Sequence, residues 1–359
     1  MTNKDLNIIW LDLFEALTYA KKLKLLNIAG NNNIRTIFLT NPEIKQVLTQ
    51  EEFNKMAICL QDEYLNRFLN AYASSNIECV TFNDARYPYL LKEISTPPLC
   101  LYCKGNIQLL NTTCVAIVGT RKPTDYGVIV TKQFAKELSS ADVTVVSGLA
   151  SGVDSIAHRE VLENNGKTIA VIAGGFNYIY PASNFNLAKT LTENNLVISE
   201  YNPNIQPLSY HFPVRNRIIA GLSKGVVITE AGEKSGSMHT FNYAIEFNRD
   251  VFAVPGKINS PMSKGTNAII KSLQGTIVLS ADDVLTSLNI QKQKNEKNCA
   301  VQLDINAQII LDYIMADKKT FQQILEHLNI PAKELNAVLI ELEMSGLITK
   351  LANNSYIKS

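Results

Sequence analysis

Hydrophobic positions divide the chain into three parts with different periodicities. From residue 1 to about 75, apolar residues recur at helical spacing, as in WLDLFEALTYAKKLKLL (10–26), and Asn41 before Pro42 is typical of a helix start. From Cys114 to about Leu288, short runs rich in valine and isoleucine alternate with helical patterns. The last sixty residues return to helical spacing.

Seven apolar runs in the middle part have the composition and length of buried parallel strands. In chain order they are CVAIVG, VTVVSG, KTIAVIAGG, LVISEY, GVVITEA, DVFAVPG and TIVLS. Helical patterns such as DYGVIVTKQFAKELSSA and GVDSIAHREVLENN separate them. This alternation predicts βα units and a doubly wound parallel sheet. In the bridging stretch before it (81–106), prolines 88, 97 and 98 argue against regular helix.

The C-terminal part reads as a winged helix. Three helical patterns, at 304–316, 320–328 and 332–345, precede a hairpin pattern around Asn353 and Asn354. A polar stretch, NIQKQKNEKNC, reads as a linker. The predicted class is therefore α/β: a helical, sterile-alpha-motif-like domain (1–78), an extended Rossmann-like core (79–288), a linker (289–299) and a winged-helix module (300–359).

Composition gives no global charge that would direct the chain to a partner. Its 359 residues include 34 Lys and Arg against 33 Asp and Glu, so affinity for a polyanion must come from local clustering. No apolar run could span a bilayer and no secretion signal is visible, so we expect a cytoplasmic protein. Of six scattered cysteines only Cys100 and Cys103 are close, which predicts buried reduced thiols rather than zinc.

The candidate site follows from the turns after the strands. Ligands of open parallel sheets bind outside the carboxyl ends of the strands, and glycines and helix N-termini bring amides to anions there. The candidates are Gly119, Thr120 and Arg121 after the first run; Ser147, Gly148 and Gly152 after the second; Gly174 and Gly175 after the third; Phe212, Arg215, Asn216 and Arg217 before the fifth; Lys234, Ser235, Gly236 and Ser237 after it; and Lys257, Lys264 and Asn267 after the sixth. One such loop says little, because every doubly wound fold needs small residues at its turns. Several convergent loops indicate a polyanion site.

Two of these residues, Arg215 and Arg217, stand at the front of a predicted short helix. Cations are disfavoured at a helix N-terminus, so we expect a phosphate backbone to lie across them. Pairing with Glu200 or Glu230 is the alternative, and both can hold. We expect alanine variants of Arg121, Arg215 and Arg217 to fold, because these side chains are predicted at loop ends.

No catalytic arrangement is visible. The chain has no Walker sequence, no GxGxxG, no GxSxG and no histidine pair at metal-ligand spacing, so we predict no catalytic residue, no metal and no cofactor. Asp154 and His158 are four residues apart on a predicted helix, and we interpret them as a pair that braces the preceding loop.

Eight segments together resemble the DNA-processing protein A family (DprA, also called Smf), over about residues 80–288. They are YPYLL, VAIVGTRKPTDYG, VVSGLASGVDSIAH, TIAVIAGGFNYIYP, FPVRNRIIAGLS, EAGEKSGSMHT, RDVFAVPG and SKGTN. The resemblance implies a self-associating protein that binds single-stranded DNA, protects incoming strands in natural transformation and helps to load RecA recombinase, with no established catalytic activity. By motif, Arg121 is the arginine after the first strand, 215–217 is the RNR segment and 235–237 is the SGS turn. The chain departs from the family pattern at 239–241 and at 273–274.

Two alternatives remain: a nucleotide-processing enzyme of the phosphoribohydrolase type, and a structural adaptor. The enzyme class carries a PGGxGT turn, which neither AGGFN nor KSGSMHT matches. For the DNA-binding prediction, Phe176, Tyr178 and Phe212 are the aromatic residues that we expect to stack on bases. The C-terminal module has five lysines, no arginine and seven acidic residues from Ala300 onward, so we expect it to bind protein rather than DNA.

Overall fold

The computed structural model describes residues 2–291, 305–314, 317–328, 330–351 and 354–358. The chain separates into two compact units, Met1–Lys292 and Gln293–Ser359. Among the described residues, no helix combines the length and the apolar character needed to cross a membrane.

Six helices open the first unit. They are α1 (Asn3–Asp12), α2 (Tyr19–Ala29), α3 (Ile34–Ile37), α4 (Pro42–Val47), α5 (Gln50–Ala57) and α6 (Asp62–Ser74). The side chain of Asn41 accepts a hydrogen bond from a first-turn amide of α4, as its place before proline predicts. The apolar pattern at 10–26 belongs to two helices, and the cap residue Thr18 begins the second of them. The apolar faces of the six helices meet in one cluster that includes Trp10. The indole nitrogen of Trp10 donates to the carbonyl of Cys59 at 2.9 Å.

A nine-stranded sheet forms the centre of the first unit. Its strands are β1 (Glu78–Thr81), β2 (Cys100–Gly105), β3 (Cys114–Val118), β4 (Thr144–Ser147), β5 (Thr168–Ile172), β6 (Leu196–Ser199), β7 (Gly225–Ile228), β8 (Asp250–Ala253) and β9 (Thr276–Ile277). They lie in the order β1-β2-β6-β5-β4-β3-β7-β8-β9. All seven predicted strands are present and parallel to one another, which confirms the α/β class.

Two antiparallel strands, β1 and β2, were missed by the sequence analysis. The three prolines of the bridging stretch lie in the connection between these strands, so they interrupt neither one. The expectation that this stretch lacks helix was wrong at one place. A one-turn helix, α7 (Tyr89–Lys92), begins directly after Pro88, a position that suits proline because no amide hydrogen is needed there.

Helices cover both faces of the sheet. They are α8 (Asp125–Ser140), α9 (Val153–Glu163), α10 (Phe185–Asn194), α11 (His211–Leu222), α12 (Ser237–Glu246), α13 (Lys264–Lys271) and α14 (Ala281–Ser287). Within β3, Ala116 and Val118 join the apolar cluster on one face, and Val115 and Ile117 join the cluster on the other. Burial on both faces explains why these strands are continuous apolar runs rather than alternating ones.

The second unit has the predicted winged-helix elements. Its helices are α15 (Ile305–Ile314), α16 (Phe321–Leu328) and α17 (Ala332–Met344), and its strands β10 (Lys319–Thr320), β11 (Ile348–Leu351) and β12 (Ser355–Lys358) lie in the order β10-β12-β11. Leu335, Leu339 and Leu342 of α17 are buried in its core. The hairpin is confirmed, although its turn residue Asn353 and most of the predicted linker (289–299) lie outside the described residues.

Candidate functional site

A cavity of about 870 Å³ opens at the carboxyl end of the sheet. Strand β3 lies between β4 and β7 there, and the strand order runs in opposite chain directions on the two sides of β3. Such a switch point is where open α/β sheets bind ligands. The cavity therefore lies where the sheet topology favours a binding site.

The lining of the cavity is strongly positive. It includes four cationic side chains, Arg121, Lys122, Arg215 and Lys234, against one carboxylate, Asp154. Arg121, Lys122 and Lys234 are exposed, whereas Arg215 is only 4% exposed. Three of the four cations can therefore meet a ligand from solvent.

Ten of the predicted site residues line this cavity. They are Gly119, Thr120, Arg121, Phe212, Arg215, Asn216, Lys234, Ser235, Gly236 and Ser237. The structure adds lining residues that the sequence analysis did not select, including Lys122, Tyr180, His239 and Met262. The sequence could have indicated Lys122 as a site residue, because Lys122 directly follows Arg121 in the turn after β3.

Nine predicted residues are outside the cavity lining: Ser147, Gly148, Gly152, Gly174, Gly175, Arg217, Lys257, Lys264 and Asn267. Some of them support the turns. Ser147 donates to the carbonyl of Ile117 at 2.6 Å, and Asn267 bonds both backbone groups of Gly256 at 3.0 and 3.1 Å. Lys257 and Lys264 are exposed but are not among the lining residues. Contact of these nine residues with a ligand stays a prediction.

Arg215 forms part of the cavity floor. Helix α11 begins at His211, so Arg215 and Arg217 lie in its second turn, and the helix-end repulsion expected from the sequence is weak because it fades within the first turn. The guanidinium of Arg215 donates to the carbonyl of Gly148 at 2.6 Å and to that of Val171. Burial lowers the pKa of Arg215 to about 10, so it remains charged at neutral pH.

Asp154 faces Arg215 across Gly148. A Cβ at Gly148 would lie 2.6 Å from Arg215 Nη2 and 2.8 Å from Asp154 Oδ2, so no side chain fits between them. The carboxylate accepts from the amides of Gly148 at 3.1 Å and Ala150 at 3.4 Å. Burial raises the pKa of Asp154, and the positive charge of Arg215 opposes this rise.

The prediction that Asp154 pairs with His158 was wrong. Asp154 does brace the loop, but through backbone amides, while Nδ1 of His158 is bonded to Thr168 Oγ1 at 2.8 Å. Burial lowers the pKa of His158 to about 3, so the ring is neutral. Within the described ranges, no group of three or more His, Cys, Asp and Glu side chains could hold a metal ion.

Arg217 is oriented differently from Arg215. It is 6% exposed and forms an ion pair with Glu200, which is one of the two partners that the sequence suggested. The expectation that both arginines lie at loop ends was wrong, because the second turn of α11 is packed against the sheet. The reason for expecting their alanine variants to fold normally is therefore lost.

Aromatic rings form one wall of the cavity. The guanidinium of Arg121 lies over the ring of Phe212, 5.6 Å from its centroid, and Tyr180 contacts Phe212 edge-to-face at 5.4 Å. Tyr180 is 55% exposed. Of the other aromatic residues predicted to stack, Phe176 packs on the apolar clusters and Tyr178 is outside the lining.

The turn before α12 also lines the cavity. The hydroxyls of Ser235 and Ser237 are 2.8 Å apart, and Asn216 donates to the carbonyl of Gly236 at 3.2 Å. The predicted RNR segment and SGS turn are thus in direct contact. Gly236 and Lys234 of this turn are exposed.

Comparison with known proteins finds one family along most of the chain. A family model described as "DNA recombination-mediator protein A" matches residues 78–289, and one described as "DprA winged helix domain" matches residues 297–354. The chain is 40% identical to the DNA processing protein DprA of Bacillus subtilis over 256 residues, 70% of this chain and 85% of that protein. It is 38% identical to that of Streptococcus pneumoniae over 269 residues, 75% and 93% of the two chains.

Solved structures show the same likeness. The X-ray structure of DNA processing protein A from Streptococcus pneumoniae superimposes with a TM-score of 0.68 at 35% identity, covering 80% of this chain and 98% of that one. The Helicobacter pylori protein, whose title names a unique single-stranded DNA binding mode, superimposes with a TM-score of 0.54 at 33% identity, covering 60% and 97%. The two matched segments, the high identity over most of each relative and the shared fold show that this chain belongs to the DNA recombination-mediator protein A (DprA) family.

Proposed function

We propose that this protein binds single-stranded DNA through the cavity at the switch point and acts as a recombination mediator in natural transformation. In this role it protects incoming strands, helps to load RecA recombinase and works as a cytoplasmic homodimer without catalysing a reaction. The observation that carries the proposal is the charge of the cavity: four cations against one buried carboxylate.

The shape of the cavity favours a single strand over a duplex. Duplex B-DNA is usually recognised by an element that enters a groove, whereas this site is a concave surface between turns. Tyr180 and Phe212 offer rings to unstacked bases, and each stacked base is worth about 1–3 kcal/mol. We therefore assign to Tyr180 the stacking on bases that the sequence led us to expect of Phe176 and Tyr178.

The strand's phosphates have three exposed cations to contact, Arg121, Lys122 and Lys234. Arg215 lies below them and contributes its charge from a buried position. Direct contact of Arg217, Lys257 and Lys264 with a longer strand belongs to the same proposal.

The enzyme alternative has less support in the cavity. A nucleotide hydrolase that uses a carboxylate as its general base needs that carboxylate free to act on the substrate. Asp154, the carboxylate of the lining, is engaged by two amides and faces Arg215.

Fluorescence anisotropy of a labelled oligo-dT, compared with a blunt duplex of equal length, tests the proposal. We expect clearly tighter binding of oligo-dT, weakened by substitution of Lys234 with alanine. Lys136→Ala is the matched control, because Lys136 is exposed on α8 outside the cavity lining. Equal affinity for the two DNAs would contradict the proposal, and nucleotide hydrolysis in a parallel assay would favour the enzyme alternative.

The mediator role has its own test. RecA nucleation on strands covered by single-strand-binding protein should be faster with this protein present, and sedimentation should show a dimer. If the protein binds oligo-dT but leaves RecA nucleation unchanged, the proposal of DNA binding stands and the mediator role is refuted.

A further inference from the structure

A second buried carboxylate, Glu230, lies close to the cavity but is not among its lining residues. Glu230 follows β7 and is 1% exposed. Its Oε1 accepts from Thr124 Oγ1 at 2.7 Å, and its Oε2 accepts from the Thr124 amide at 2.8 Å. Its backbone carbonyl accepts from the Thr120 amide at 2.7 Å. One residue thus holds both ends of the segment Thr120–Thr124.

The carboxylate occupies the start of a long helix. Thr124 is the N-cap of α8, a helix of 16 residues, and its hydroxyl accepts from the amide of Gly127 at 3.2 Å. The amides at a helix N-terminus favour an anion. In dinucleotide-binding folds a phosphate sits at the helix that follows the first parallel strand, and α8 follows β3, the first parallel strand here. Glu230 places an internal anion next to that position, bonded to the cap residue Thr124.

The fit around the carboxylate is close. A Cβ at Gly127 would collide with Glu230 Oε2, so any side chain at this position would displace the carboxylate. Because the amides of Thr120 and Thr124 both donate to Glu230, this residue fixes the two ends of the backbone that carries the intervening side chains. Two of those side chains are the exposed cations Arg121 and Lys122 of the cavity.

We propose that Glu230 is a positioning residue of the DNA site. Its carboxylate places an anion at the start of α8 and holds the Thr124 end of the segment Thr120–Thr124, so that Arg121 and Lys122 face the DNA strand. The inference rests on the proposed function, because it assigns the support of that same site.

Anisotropy with labelled oligo-dT at several salt concentrations tests this role. Glu230→Ala should weaken binding by roughly tenfold or more and lower the log–log salt slope by up to about 1.4, since two phosphate contacts count for about 0.7 each. Glu230→Gln should bind nearly as wild type, because an amide can still accept from the Thr124 amide and donate to its hydroxyl. Glu233→Ala is the matched control, since Glu233 is exposed in the same connection.

A double-mutant cycle separates positioning from a general structural effect. In an Arg121→Ala, Lys122→Ala background, Glu230→Ala should have little further effect on affinity, because the cations that it positions are gone. Gly127→Ala is an independent perturbation that displaces the carboxylate without removing it, and it should weaken binding in the wild-type background only. It also keeps the test decisive if Glu230→Ala does not fold.

The outcomes are distinguishable. If the wild-type protein fails to bind oligo-dT, the proposed function falls and this inference falls with it. If the wild type binds and folded Glu230→Ala or Gly127→Ala binds equally well, only the inference is overturned. An equal loss in both backgrounds would likewise overturn it, because the effect would not pass through Arg121 and Lys122.

Discussion

Replacing Arg215 with alanine should destabilise the first unit strongly, although the side chain lines the candidate DNA site. The substitution removes a charged donor from the carbonyls of Gly148 and Val171 and leaves Asp154 buried without the cation that it faces. Hydrogen bonds from a charged donor are worth about 1.5–3 kcal/mol each. Removing one member of a buried charge pair typically costs about 3–5 kcal/mol, and we expect a loss in that range.

The stability lost in Arg215→Ala should depend on pH, because Asp154 changes its charge with pH. Burial raises the pKa of this carboxyl in the folded protein, and Arg215 opposes the rise. Without Arg215 the folded-state pKa rises further, so the folded variant binds a proton that the unfolded chain has released. Protonation then removes the buried negative charge, and the stability difference from wild type should shrink as pH falls through that raised pKa.

Urea unfolding followed by tryptophan fluorescence measures this effect. Trp10 is the single tryptophan of the chain and is fully buried in the first unit, so its signal reports that unit alone. The matched control is Lys234→Ala, an exposed cation of the same cavity, which should change stability by less than about 0.5 kcal/mol.

A paired variant shows whether the lost charge balance is the cause. Arg215→Met combined with Asp154→Asn removes both charges and should recover much of the stability, because the cost of breaking a buried pair comes largely from the uncompensated charge that is left behind. A loss below about 1 kcal/mol in Arg215→Ala, well under the range for a broken buried pair, would refute the reasoning. So would a loss that stays the same down to low pH.

Two further predictions concern DNA binding. A triple alanine variant of the exposed cations Arg121, Lys122 and Lys234 should stay folded and lower the log–log salt slope on oligo-dT by about 2, at roughly 0.7 per phosphate contact; an unchanged slope would remove these cations from the DNA contact. Truncation after Asn298 should leave oligo-dT affinity within a few-fold of the full chain, because α17 carries Glu334, Glu341 and Glu343 against only Lys333. A hundredfold loss by a folded truncation of the same oligomeric state would show that the winged helix binds DNA.

Local patterns were sufficient to predict most elements. The apolar runs predicted all seven parallel strands, because a strand buried on both faces needs side chains of one kind along its whole length. The three helices and the hairpin of the winged helix followed from spacing in the same way. The antiparallel strands β1 and β2 were missed, because the prolines between them obscured two short strands in the bridging stretch.

The sequence predicted where the cavity lies but not the roles of its lining residues. That several turns meet at one edge follows from parallel strands, whose carboxyl ends all point the same way. The burial of Arg215 and the anchoring by Glu230 have no such local pattern, and the sequence offered Glu200 only as one of two partners for Arg217. Each depends on which side chains another element brings near, often many residues away in the sequence.

The sequence by itself determined the seven parallel strands, the three helices of the winged helix, the α/β class and the edge of the sheet at which the cavity opens. Only the tertiary structure decided which turns share the cavity, because the turns that meet depend on the order of the strands in the sheet. The periodicity of a single strand does not indicate which strands lie beside it. Placing β3 beside β7 brings the turn with Arg121 next to the turn with Lys234 and to α11. The turn after β5, equally rich in glycine, lies two strands from β3 and contributes neither Gly174 nor Gly175 to the cavity lining.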